Sequence, residues 1–89
     1  MTTHNSHPAI IKRLKRANGH LNSIITMIEA DRDCLDVAQQ LQAVEKAIAN
    51  AKKILVHGHI DHCLQHAVRD NAKNADDTIR EFKEITKYL

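Results

Sequence analysis

The sequence predicts an all-α fold built as a three-helix protomer, and three observations carry that prediction. Apolar residues recur at alternating intervals of three and four through two long stretches, which marks one stripe of an α-helix and not the two-residue alternation of a strand. Hydrophobic residues make up 43% of the chain but aromatic residues only 2%, so aliphatic side chains and alanine must fill any core. The only glycines are Gly19 and Gly58 and the only proline is Pro8, so no strong breaker lies in the long stretch between the glycines.

Taken in order, residues 1–6 are polar and read as a mobile start, and Ser6 followed by Pro8 supplies a hydroxyl cap and a first-turn proline for a helix. The first helix then carries Ile10, Leu14, Ala17, Leu21, Ile24 and Ile28 as a heptad-like seam. Ala30-Asp31-Arg32-Asp33 interrupts the seam, and its aspartates can cap the N-terminus of the next helix. That second helix is expected from near Cys34, with the seam Cys34, Val37, Leu41, Val44, Ile48, Ala51 and Leu55, so the two helices form an αα-hairpin. Gly58 costs roughly 1 kcal/mol against alanine in a helix interior, which a long helix tolerates, and the second helix is expected to reach about Gln65. Arg69 to Asn74 reads as a link, and Asp76-Asp77 opens a third helix whose apolar side is Ile79, Phe82, Ile85 and Leu89.

At 89 residues, 1–89 is expected to be a single domain, near the size where one core barely suffices and self-association is a common remedy. The formal net charge of +2 is too small to name a partner, so the distribution of charge must decide. Two cysteines without a secretory signal or an apolar run of membrane length point to a reduced, cytoplasmic setting and no membrane partner.

His59 and Cys63 are four residues apart, so on a helix both side chains share one face, about 5–6 Å apart at Cβ and close enough to chelate one ion. Cys34 lies 25 residues before His59 on the same helix, roughly 37 Å along its axis at 1.5 Å per residue. One chain cannot close a site from all three. Two copies of the helix paired antiparallel about an axis near Lys46 would place Cys34 of one opposite His59 of the other, giving two equivalent sites. The bland readings stand beside this one: Cys34 alone can be a small packed hydrophobe, and an i, i+4 pair is a weak motif in a chain with seven histidines. A continuous helix excludes an intrachain disulfide.

The second feature is basic. Lys12, Arg13, Lys15 and Arg16 surround Leu14, and Lys46, Lys52 and Lys53 lie on the second helix. Such a run is either a solvated face or, multiplied in an oligomer, a phosphate-binding surface. No helix-turn-helix signature is evident, and so few aromatics argue against stacking on single strands.

The run Lys12 to Arg16 with Gly19, then Cys34, Gln39-Gln40-Leu41 and His59-x-x-x-Cys63, resembles the CsoR/RcnR family of metal-sensing and stress-sensing repressors over nearly the whole chain. The resemblance implies an antiparallel four-helix-bundle dimer, a dimer-of-dimers homotetramer, and binding of double-stranded operator DNA without a helix-turn-helix. It implies that the apo-protein represses and that ligand binding between subunits releases the operator, with Cys34 donated by one protomer and His59 and Cys63 by the other. Cu(I) sensors of the family use such a set, and Ni(II) or Co(II) sensors add a nitrogen from the N-terminal region, where this chain has His4 and His7. The start at His7-Pro8 and the ending from Glu81 to Leu89 look most like the nickel-resistance branch, which puts Ni(II)/Co(II) narrowly ahead of Cu(I). This chain departs from the family at Glu45-Lys46, where many relatives have arginine, and at Asn18 and His20.

Persulfide and formaldehyde sensors of the same fold are the rival readings. The first lack a histidine placed like His59, and the second pair the cysteine with a proline earlier than Pro8. A helical scaffold with incidental histidines is the rival from another class, and no acid, base and nucleophile set suggests an enzyme.

Overall fold

The computed structural model describes residues 6–69 and 75–89, and side chains over 6–65 and 76–89. Three helices succeed one another: α1 over His7–Glu29, α2 over Cys34–Arg69 and α3 over Ala75–Ile85, with a closing 3-10 turn at Thr86–Tyr88. No strand occurs among the described residues. The all-α, three-helix expectation holds. α2 runs four residues beyond the expected end at Gln65, because nothing after Gly58 breaks it and Gly58 keeps a negative φ. Of the link expected over 69–74, Arg69 is still helical and the rest lies outside the described residues, as do residues 1–5 of the polar start.

Two compact units divide the chain: one is Pro8–Lys52, the other joins the chain start through His7 to Lys53–Leu89. The first is the expected hairpin of α1 with the leading half of α2. His20 Nε2 and Gln40 Oε1 are hydrogen-bonded at 2.6 Å. That bond fixes an antiparallel register in which Ile10 lies level with Ala51, Ala17 with Val44 and Ile24 with Val37. These are the buried seam positions: Ile10, Ala17, Ile24, Val44 and Ala51 are 2–6% exposed and Val37 is half-buried.

The intervening seam residues behave differently. Leu14, Ile28, Leu41 and Ile48 are 42–54% exposed, and Leu21 is half-buried. The seam is therefore split: every second member packs within the hairpin and its alternates face outward.

The connection between α1 and α2 works without glycine. Arg32 N–H donates to Met27 O at 2.9 Å and Asp31 N–H to Ile28 O at 3.1 Å, the paired bonds of a Schellman end, with Asp31 at φ 57° in the left-handed position. Aspartate tolerates this conformation better than most side chains. Val37 N–H then donates to Asp33 O at 3.1 Å, which makes Asp33 the N-cap residue just before α2.

In the second unit Val56 and Cys63 are buried on α2. α3 opens on Asp76 and Asp77 and has Lys83 in its last turn, charges that complement the helix dipole. Among the described residues no helix is long and apolar enough to cross a membrane.

Candidate metal centre

α2 presents His59 and Cys63 on one face, as i, i+4 spacing requires, and α3 brings a third group to them. His59 Nε2 lies 3.0 Å from Glu81 Oε1. Among the described residues, one ligand atom each from His59, Cys63 and Glu81 lie within 4.8 Å of one another. Cys63 is 3% exposed, His59 is half-buried, and the Glu81 carboxylate stands 57% exposed at the rim.

Burial pushes the Cys63 thiol above its ordinary range, and the nearby Glu81 carboxylate pushes it further. A protonated, buried thiol beside an imidazole is the resting form of a soft-metal donor pair, because the incoming cation replaces the proton and supplies the charge that the pocket otherwise disfavours. The donor chemistry therefore fits a transition metal. At 3.0 Å the Glu81 carboxylate lies against His59 Nε2, where a carboxylate can orient an imidazole that ligates a metal.

A hollow of about 180 Å³ adjoins the thiol, lined by Cys63, Leu64, Thr78, Ile79 and Phe82. Ser6 approaches α2 at Gly58. A Cβ placed on Gly58 would lie 3.0 Å from Ser6 Oγ, so the missing side chain lets Ser6 seat one residue before His59. His7, the first residue of α1, is half-buried, while His4 lies outside the described residues.

Cys34 is exposed and opens α2, 25 residues before His59 on the same unbroken helix, and it does not join the cluster. Both cysteines are free thiols. Lys12, Arg13, Lys15, Arg16, Lys46, Lys52 and Lys53 are all exposed. Only Arg13 and Arg16 of these line a hollow with His20 and Asn50, while Lys46 flanks a separate shallow one with Gln39, Gln42 and Ala43. Sequence reasoning missed Glu81. An acid on another helix, 18 residues past Cys63, gives no spacing signal, and only the preference of a ligating histidine for a carboxylate hints at one.

A helical fold with no helix-turn-helix signature in its sequence, carrying a thiol–imidazole pair on α2 and a basic run on α1, has counterparts. Residues 6–88 match the family described as metal-sensitive transcriptional repressor, and the chain belongs to that family, CsoR/RcnR. Transcriptional repressors are not enzymes.

Among its relatives is the copper-sensing transcriptional repressor CsoR of Mycobacterium ulcerans, 42% identical over 80 residues that make up 90% of this chain and 67% of that protein. The repressor of the same name from Bacillus subtilis is 35% identical over 88% of this chain and 79% of its own length. The match to CsoR of Mycobacterium tuberculosis spans 66% of that protein, so the chain covers about two thirds of the mycobacterial relatives. The solved structure of the nickel-responsive transcriptional regulator InrS superposes over 100% of this chain and 99% of its own, with a TM-score of 0.82 at 26% identity.

Proposed function

We propose that the chain is a repressor that grips double-stranded operator DNA as apo-protein and releases it when Ni(II)/Co(II) or Cu(I) binds between subunits. The ligands are Cys34 of one copy with His59 and Cys63 of another. The observation that carries this reading is the buried Cys63 thiol paired with His59 on one face of α2, in a chain whose exposed Cys34 is held away on the same helix. The split seam supports the assembly: Leu41, Ile48 and Leu55 recur every seven residues along α2 at 39–45% exposure, and antiparallel pairing of two copies covers them. A homodimer, doubled into a homotetramer, is the state this reading requires.

A bound ion supplies positive charge and a fixed coordination geometry across the interface. His59 and Cys63 present their donors from one rigid turn, Cys63 gives up its proton on binding, and Glu81 holds the His59 ring. Exposed cations along α1, Lys12, Arg13, Lys15 and Arg16, with Lys46, Lys52 and Lys53 on α2, furnish the charge that faces DNA phosphates.

Ser6 lies against Gly58, one residue before His59, and this supports the Ni(II)/Co(II) reading, in which His7 or His4 would add a nitrogen donor. Cu(I) is the second reading, favoured by copper-sensing relatives and by a set of two thiolates and one imidazole. Gel retardation of a promoter duplex with chelator, and its reversal by each ion, tests the function: no retardation in chelator would sink it. Absorbance titration separates the ions, since thiolate-bound Ni(II) gives ligand-field bands and d¹⁰ Cu(I) gives none.

A further inference from the structure

The basic run on α1 is not one uniform face. Arg13, Arg16, Ala17 and His20 keep the helical spacing of a single stripe, and with Ala47 and Asn50 of α2 they line a hollow of about 190 Å³ inside the hairpin unit. Lys12 and Lys15 lie off that stripe. The methyl groups of Ala17 and Ala47 leave room where longer side chains would fill it, and no acidic residue contributes to the lining. His20 is part of the lining, and its Nε2 is hydrogen-bonded to Gln40 Oε1 at 2.6 Å.

We propose that this hollow is a binding site for a single phosphate group, taken by the guanidinium groups of Arg13 and Arg16 and the carboxamide of Asn50. His20 and Gln40 act as positioning residues. Two forked guanidinium donors match the oxygens of a phosphate, which a point charge such as lysine does not. The Asn50 amide adds N–H donors without adding charge. That the phosphate belongs to the backbone of duplex DNA rests on the proposed repressor function, in which such contacts set register and orientation on the duplex. The consequence is a division of labour: Arg13 and Arg16 dock one phosphate in a shaped site, whereas Lys12 and Lys15 act through general attraction.

The test uses the full chain, with the His20 ring signals in NMR as reporter, assigned by their loss in His20→Gln. Helical content by circular dichroism confirms that each variant folds. Duplex DNA and inorganic pyrophosphate are titrated separately. Expected are saturable movement of the His20 signals with either probe, its loss in Arg16→Ala, and its persistence in Lys12→Ala and Lys15→Ala. Arg13→Ala and Arg16→Ala should each weaken duplex binding about tenfold and lower the salt slope by about one. Asn50→Ala should weaken it by about fivefold, within the worth of a hydrogen bond to a charged group. Duplex binding that leaves the His20 signals still and is unchanged in Asn50→Ala overturns the site. If the duplex is not bound at all but pyrophosphate moves His20 in an Arg16-dependent way, the phosphate site stands and the DNA reading falls.

Discussion

Cys63 feels two influences that can be separated by one substitution. Burial and the Glu81 carboxylate both favour the protonated thiol, so Glu81→Gln should make the thiol ionise at lower pH, bringing its pKa toward the ordinary thiol range while burial keeps it above that range. Alkylation rate against pH reads the shift, and an unchanged profile would mean that the exposed carboxylate is screened by water. The folded state holds this proton more tightly than the unfolded chain, so its contribution to stability is present below the ordinary thiol value and lost as pH rises through the raised one. Cys34→Ala tests the other end of α2: duplex binding should persist while release by Ni(II) or Cu(I) is abolished, read by gel retardation. The spacing of His59 and Cys63 was legible because four residues on a helix is a fixed geometry. Glu81, Asn50 and the His20–Gln40 bond were not, because each depends on which turn of a second helix lies alongside.

For the elements, periodicity located all three helices and made α1 and α2 a hairpin, but their register came only from the structure. What periodicity could not say is which seam residues pack within a chain. Seven-residue and alternating three–four spacing describe the same stripe, and only the hairpin register shows that Ala17 and Val44 turn inward while Leu14 and Leu41 do not. Ile24, 2% exposed, belongs to the inward set, and Ile24→Ala should cost about 3 kcal/mol in urea unfolding. The end of α1 offers a gain. Asp31 holds φ 57°, where a side chain costs about 1–2 kcal/mol, so Asp31→Gly should stabilise the hairpin by up to about 1 kcal/mol after glycine's greater unfolded-state entropy is counted. A higher urea midpoint at constant slope is the expected result.

On the scale of the whole molecule, a chain of 89 residues with Leu14, Ile28, Leu41, Ile48 and Leu55 outward has apolar surface that only another surface can remove from water. The proposed self-association predicts a melting temperature that rises with protein concentration, and Ile48→Asp should weaken the assembly and flatten that dependence. Sedimentation across a concentration range checks the change in mass.

The unbroken run of α2 has a consequence for mixed variants. Since one rod carries Cys34 at its start and His59 with Cys63 far along it, each copy in the proposed pair lends half a site to its neighbour and borrows half in return. A copy with Cys34→Ala and a copy with Cys63→Ala should each, alone, hold the operator but fail to respond to the ion. Mixed, they form heterodimers in which one site loses both cysteines and the other keeps all its donors. Two such alleles in one cell would still leave the operator closed, because the homodimers of each variant stay bound; the recovered site is expected in a mixture of the two purified proteins, as one bound ion per heterodimer.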